Sequence, residues 1–554
     1  MNPKSILCFL GLALLCSCGR TPDVEKGPYT VSVIEKNIYH IQDCNSSYPS
    51  GASVDADGNQ RYNNCSDIYL LVGSKEALMI DLSNAITWAD NAAESLREIV
   101  KERTAGKPLT ITFTHNHGDH TGMLPAWVDD PDVSFALPAV DFEDIEDRFP
   151  ADRHSFYDEG EIFDLGGLTV ETIAVPGHTD GSIVFLVPGH DLLFSGDAIG
   201  SGGGVWIFNA AAFDRYVSSV PYLIRTLKER GVNEDRLQIF GGHYHQNPEG
   251  TALKMKYLRD MKTLCDQIES GTAAMEPSGQ SWPNLKTNFR YGEATLTWNE
   301  EEANQLRARY PEEFVYRDED IVFRRIDDHT WAGAGHWVYT ESVYVVEGSE
   351  RAMVIDAGTY MPHLDEAVAA LTDKPVIMAL THGHGDHVGG IGCFPEVWLN
   401  MADAPMIREY SGELKPLEDC QVIDLGGRQI EVLYTPGHTS GSVTFFDKEK
   451  HYGFSGDAFG STNLLLFTTF KDLINTCTRT AEYMQENGIT HLYPGHYGGG
   501  NYETLQRVLD EKKMSLEVLS GKRKGNTDDV ANGLNCSIND FGVTIRYNYP
   551  EALE

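Results

Sequence analysis

The chain is poor in positive charge. Lys and Arg number 44 against 82 Asp and Glu, a net charge of -38 over 554 residues. Nucleic-acid backbones are gripped by clustered cations, so this balance argues against a nucleic-acid partner. It argues equally against docking onto anionic lipid by charge alone. Cysteine is sparse, with ten residues and no CxxC pair. A chain of this length buries its own cores and needs no disulfide staples. No apolar run reaches the ~20 residues of a membrane-spanning helix. There is no GxSxG motif, hence no elbow presenting a nucleophilic serine. Apolar residues at 41% and aromatics at 10% nonetheless describe a globular chain.

Residues 1–19 read as a targeting segment. Lys4 supplies positive charge, and residues 6–15 form an apolar run too short to span a bilayer. The segment ends Leu15-Cys16-Ser17-Cys18, which resembles a bacterial lipobox. That resemblance implies a signal peptide over 1–18, lipidation of Cys18, and a tether over 19–27. The chain is then exported and held by lipid in the cell envelope, in the periplasm or at the outer membrane. An ordinary secretory signal is the alternative. Cys44 and Cys65 flank a Ser/Tyr/Asn-rich stretch and could bridge it. The other cysteines suit buried apolar positions.

The rest of the chain is one unit written twice. Residues 164–201 and 424–461 align without a gap, from DLGG to FSGDA and beyond. ALMID (77–81) matches AMVID (352–356), THNHGDHTG (114–122) matches THGHGDHVG (381–389), and GGHY (241–244) matches PGHY (494–497). A period this long means duplicated domains and not a solenoid. The expected boundaries are 28–299 and 311–554, joined over 300–310 by a charged linker whose composition suits a helix. Residues 45–64, 129–158 and 272–287 look like extra surface loops of the first unit, candidates for rims over a site. Residues 91–103 read as an amphipathic helix before the TITFTH strand. Trp206 and Phe208, set opposite Leu464 and Leu466, would line a core or pocket wall. Tyr244 and Tyr497 each follow a conspicuous histidine and would either touch substrate or pack.

The sharpest feature is His115-Asn116-His117-Gly118-Asp119-His120, four donors on one tight loop after a β run. His178 in PGHT, Asp197 in FSGDA and His243 in GGHY follow, giving five His and two Asp. The second unit repeats all seven as His382, His384, Asp386, His387, His438, Asp457 and His496. Imidazole with carboxylate suits zinc or iron better than calcium or magnesium. Seven donors exceed one tetrahedral ion and suit two metals sharing a carboxylate. A lone HxH means little. Ten of 19 histidines at matching positions of two units are a different matter.

This order, HxHxDH then His, Asp and His, resembles the metallo-β-lactamase superfamily over nearly all of the chain beyond the targeting segment. The resemblance implies an α/β fold, an αββα sandwich of two mixed sheets flanked by helices, in two tandem copies. It implies that His115, His117 and His178 hold one metal, Asp119, His120 and His243 the other, and Asp197 bridges. In the second unit His382, His384 and His438 pair with Asp386, His387 and His496 across Asp457. Asp81 and Asp356 match a buried aspartate that orients the ligand loop. Two zinc ions per unit are implied, with iron as the alternative. The activity implied is hydrolysis of an ester, thioester, lactone or amide by a metal-bridging hydroxide, with Asp119 or Asp386 shuttling the proton. A β-lactam-hydrolysing enzyme, an iron redox enzyme and a non-catalytic scaffold in one unit stay as alternatives. Aspartate at the bridging position leans away from zinc β-lactamases and toward thioesterases and lactonases. The tyrosine that family lactonases carry three residues on is absent, since Gly200 and Gly460 stand there. The partners expected are a small-molecule substrate, the membrane through lipid only, and a pseudo-dimer of the two units.

Overall fold

The segment Asp67–Val72 (DIYLLV) explains the layering. All six residues of this strand are buried, which requires cover on both faces. Ile68 and Leu70 enter a core completed by Leu96, Ile99 and Val100 of the helix Ala92–Thr104. Tyr69 and Leu71 point the other way, onto Phe185, Val187, Leu192 and Phe194 of a second sheet. Helix, sheet and sheet are thus stacked by the alternation of one strand. The helix coincides with its expected amphipathic segment and ends where Ala105 turns left-handed at φ 55°.

The computed structural model describes residues 24–43, 65–87, 89–200, 203–247, 250–335 and 341–553. It divides into two compact units, Met1–Ala303 and Asn304–Glu554. The first unit has an eight-stranded sheet running in chain order from Val24–Lys26 to His154–Tyr157. Pairing is antiparallel up to Ala77–Ile80 and parallel from there on. The facing five-stranded sheet is ordered Gln238–Gly241, Leu192–Gly196, Ile183–Val187, Thr169–Ala174, Ile162–Asp164. A four-stranded sheet carries Val205–Trp206, Ala294–Trp298, Thr287–Tyr291 and Ala274–Pro277. The second unit repeats the plan with sheets of eight, six and three strands. Its sheet-to-sheet core joins Tyr344, Val346 and Ile355 to Phe445 and Phe454. The fold is therefore the αββα sandwich, present twice. No helix among the described residues is long and apolar enough to cross a membrane.

Two of the three expected surface loops are more than loops. Residues 129–158 contain the sheet strands Val133–Pro138 and His154–Tyr157, with Phe135 and Leu137 in the core. Residues 272–287 contain the edge strand Ala274–Pro277. The second unit has a stretch of similar length between Gly521 and Cys536, so 272–287 is not an insertion. His154–Tyr157 and Ala274–Pro277 are edge strands, which need few apolar side chains, and turn-forming residues flank all three. Residues 45–64 lie outside the described residues, as do Cys44 and Cys18.

One pair of equivalent positions has diverged sharply. Leu253 bridges Ile239 in the first unit, and Glu503 occupies the same place beside Leu492 in the second. The following helices, Met255–Ser270 and Leu505–Leu519, then align Tyr257 with Arg507 and Met261 with Glu511. Tyr257 and Met261 are core residues. Glu503 and Glu511 are fully buried carboxyls. Burial, partly offset by Arg507, pushes Glu503 up to about 8. Burial and the neighbouring Glu503 push Glu511 well above the carboxylate range.

Candidate metal centres

Strand ends bring the seven donors of each unit together. His115 and His117 leave the strand Leu109–Thr112, and Asp119 and His120 sit on the single turn Gly118–Thr121. His178 lies in the turn after Thr169–Ala174. Asp197 follows Leu192–Gly196, and His243 follows the parallel neighbour Gln238–Gly241. One ligand atom each from His115, His117 and His178 lie within 4.8 Å of one another. So do those of Asp119, His120 and His243, and of His115, His120 and Asp197. In the second unit His382, His384 and His438 group in the same way, as do Asp386, His387, Asp457 and His496. All fourteen expected donors are thus gathered into two constellations.

Hydrogen bonds decide which imidazole nitrogen faces inward. Asp81 Oδ1 accepts from Thr114 N at 2.7 Å, and its Oδ2 accepts from the Thr114 hydroxyl at 2.8 Å. That hydroxyl, its proton committed, accepts from His115 Nδ1 at 3.0 Å. His120 Nδ1 donates to Asp81 Oδ2 at 2.9 Å. His178 Nδ1 donates to Trp206 O at 3.0 Å, and His243 Nδ1 to Cys65 O at 2.7 Å. Each Nε2 of these four therefore faces the interior and is the atom whose lone pair a cation would take. His117 presents Nδ1, 3.0 Å from His178 Nε2. The second unit repeats the scheme. Asp356 takes Thr381 N, the Thr381 hydroxyl and His387 Nδ1, and His438 Nδ1 donates to Leu465 O at 2.8 Å. Asp81 and Asp356 hold φ at 63° and 62°, a left-handed backbone that Asp tolerates better than most residues.

Two observations show that the donors fit cations. The Nε2 atoms of His115, His120, His382 and His387 and the Oδ1 atoms of Asp197 and Asp457 are buried with no hydrogen-bond partner. Buried polar atoms are nearly always satisfied, so six orphans converging on two points call for a missing partner. The space is also kept open by glycine. A Cβ on Gly242 would lie 2.4 Å from His120 Cε1 and 2.6 Å from Asp197 Oδ1. On Gly495 it would lie 2.2 Å from Asp457 Oδ1. Burial and the neighbouring imidazoles His120 and His178 hold His115 neutral, well below the usual histidine range. Burial opposes charge on Asp197, but His243 and His120 outweigh it and keep the carboxyl well below its usual range. Burial opposes charge on His120 and His243 too, but Asp197 outweighs it and raises His120 well above the usual histidine range and His243 to about 9. Neutral imidazole and ionised carboxylate are the metal-ligating forms, so a cation would displace those two protons.

Two supporting aspartates have no obvious signature in the sequence. Asp141 accepts from Asn116 N, the Thr179 hydroxyl and Gly181 N, tying the HxHxDH loop to the PGHT turn. Asp403 does the same for Gly383, Thr439 and Gly441. Gly181 is required there, since a Cβ would lie 2.6 Å from Asp141 N. Tyr244 and Tyr497 pack: Tyr244 stacks on Phe240 and donates to Gly250 O, and the Tyr497 hydroxyl donates to Glu312. The acceptors Trp206 O and Leu465 O set the register between units, so Phe208 matches Phe467. The pairing of Phe208 with Leu466 expected from the sequence is one residue short. A Phe208 ring stands 5.7 Å from His178, and a Phe467 ring 5.7 Å from His438.

A sandwich with its donors along one edge of two packed sheets, twice over, defines a class of metallo-hydrolases. The chain belongs to the metallo-beta-lactamase superfamily, whose sequence profile matches residues 66–243 and 337–496. Among curated relatives it is similar to the acyl-coenzyme A thioesterase MBLAC2 of Gallus gallus, 27% identical over 210 residues, covering 30% of this chain and 76% of the relative. The Homo sapiens protein of that name is 28% identical over 213 residues, with the same coverages of 30% and 76%. The atrochrysone carboxyl ACP thioesterase of Aspergillus terreus is 26% identical over 175 residues, covering 31% of this chain and 53% of that protein. Among solved structures, a metallo-beta-lactamase from Pontibacter korlensis aligns with 35% of this chain and 99% of its own, at 18% identity and TM-score 0.31.

Proposed function

We propose that each unit is a metal-dependent thioester hydrolase binding two zinc ions. The observation that carries the reading is the set of buried, unsatisfied donor atoms in each unit. The thioesterase names among the relatives supply the substrate class. His115, His117 and His178 would hold one ion, Asp119, His120 and His243 the other, with Asp197 between them. His382, His384 and His438, then Asp386, His387 and His496, with Asp457 between, would do so in the second unit. When bound, the ions supply Lewis-acid polarisation of the scissile carbonyl and a lowered pKa for the attacking water.

The chain's own residues provide the proton path. Asp119 is the carboxylate at the open edge, with a side chain 25% exposed where that of His120 is fully buried. It takes the proton that water loses as the C–O bond forms. It returns that proton to sulfur as the C–S bond breaks. Asp386, 27% exposed, serves the second unit. The leaving thiol therefore departs on the side of Asp119 and His243, and the acyl group lies toward His117 and His178.

Elemental analysis of the fully loaded protein is expected to find about four zinc ions per chain, two for each bridged site. Thioester hydrolysis should fall in His117→Ala and in His384→Ala, each variant removing one unit's share. Two or fewer ions per loaded chain, or turnover untouched by both substitutions, would overturn the reading. Export and a lipid anchor on Cys18 belong to the same proposal. Labelled palmitate should enter the wild-type chain and fail to enter Cys18→Ser; equal labelling of both would exclude the anchor.

A further inference from the structure

We propose that Trp282 makes the first unit selective for thioesters with a flat aromatic acyl group, a selectivity the second unit lacks. The inference rests on the thioesterase reading for the side on which the acyl group lies. That side carries a chain of rings. Phe208 stands 6.0 Å from His117 at 87° and 5.7 Å from His178. Trp282 continues the chain, 6.2 Å from Phe208 at 55°.

Trp282 is 57% exposed, more than any other tryptophan among the described residues. A ring of this size left in water loses the burial that usually justifies it. Its loop is nevertheless fixed. Asn284 Nδ2 donates to Phe208 O at 2.9 Å, Leu285 is fully buried, and Ser278 N donates to Lys286 O at 2.9 Å. The loop is therefore tied to the very residue that flanks the metal donors, and the Trp282 face is held open beside it. Binding sites of this kind are apolar walls set by a few fixed anchors. A flat ring entering on the His117 side can contact both Phe208 and Trp282, whose centroids stand 6.2 Å apart.

The second unit has only half of this wall. Phe467 is 45% exposed and stands 5.5 Å from His384. The stretch equivalent to the Trp282 loop, residues 522–535, contains no aromatic residue. One ring alone gives little discrimination between a flat acyl group and a small one.

The test uses the zinc-loaded full chain carrying His384→Ala, so that only the first unit turns over. The quantity read is the ratio of kcat/KM for a benzoyl thioester to that for an acetyl thioester of the same thiol. Trp282→Ala is expected to lower this ratio about 10-fold, the scale of one aromatic contact with its buried area. Trp282→Phe should restore part of it. An unchanged ratio in Trp282→Ala overturns the inference and leaves the thioesterase reading standing. A second readout needs no turnover: calorimetric binding of 2-naphthoate should weaken about 10-fold in Trp282→Ala. If no thioester is hydrolysed but naphthoate binding depends on Trp282, the aromatic site stands and the reaction assigned to it falls. Naphthoate binding indifferent to Trp282 overturns the site itself.

Discussion

The Asp197→Ala, Asp457→Ala double variant is expected to lose thioester hydrolysis by on the order of 10⁴-fold or more. The scale follows from the water: without a bridged site its pKa returns from about 7 toward 15.7. Each aspartate is the common neighbour of its donor set. Asp197 Oδ1 lies 3.6 Å from His120 Nε2, and its Oδ2 lies 3.7 Å from His178 Nε2 and 3.3 Å from His243 Nε2. Asp457 stands in the same relation to His387, His438 and His496, at 3.7, 3.6 and 3.4 Å. Asp197 thus reaches both halves of its set through His178 and His243, and Asp457 through His438 and His496. The single variants divide the activity. Asp197→Ala should keep the second unit's rate and Asp457→Ala the first unit's, since separate sites with no shared partner behave additively. Steady-state rates and zinc content measured together decide it. A double variant that still turns over at a tenth of the wild-type rate would sink the assignment of these residues.

Asp81→Asn tests a subtler claim, that the carboxylate sets a tautomer. Asn is close to Asp in shape and tolerates the left-handed backbone found at φ 63°. Its carbonyl can still accept from Thr114 N. Its NH₂ group, however, would face the Thr114 hydroxyl and His120 Nδ1, both of which donate to the carboxylate. Donor would meet donor. His120 escapes by moving its proton to Nε2, the atom that faces the centre. A protonated Nε2 cannot bind metal. First-unit zinc affinity should therefore fall about 10- to 100-fold while the fold persists. Zinc titration of Asp81→Asn in an Asp457→Ala background, against the Asp457→Ala parent, isolates the effect, because the remaining second-unit donors are the same in both proteins. Asp81→Ala is the harsher variant, because it leaves the Thr114 N–H buried without an acceptor, at a cost of about 1–3 kcal/mol. Equal zinc affinity in wild type and Asp81→Asn would show that the carboxylate only packs.

The donors themselves are legible in the sequence because four of seven fall within six consecutive residues, His115 to His120. The rest follow turn signals that recur in both units. The layered fold is legible for a related reason: strands such as Asp67–Val72 are buried on both faces and read as unbroken apolar runs. What stays hidden has a different physical character. Asp141 and Asp403 act by accepting backbone N–H groups from two loops, and such acceptors leave no mark on the loops they tie. Trp282 reaches the site by way of an edge strand and a loop anchored at Leu285. Neither its spacing nor its neighbours in sequence announce that destination. The match of Phe208 with Phe467 was obscured by a one-residue difference before the helices Ala210–Glu229 and Phe470–Asn487. Hydrogen bonds from His178 and His438 restore the register that identity alone mistook.

The divergence at Leu253 and Glu503 also bears on how a duplicated gene keeps its copies apart. Long internal repeats invite recombination, which would splice the end of one copy onto the start of the other. Here the interior has changed its chemistry. A helix carrying Arg507 and Glu511, exchanged into the first unit, would bring charge to the places of Tyr257 and Met261, both buried core positions. Taking such charges out of water costs several kcal/mol per ion, a large fraction of what holds a domain folded, and their mutual attraction offsets this only with good geometry. The reverse exchange would strip Ser461 N of its Glu503 acceptor. An exchange at this point thus disturbs a buried interior in either direction, and the two units are no longer interchangeable there.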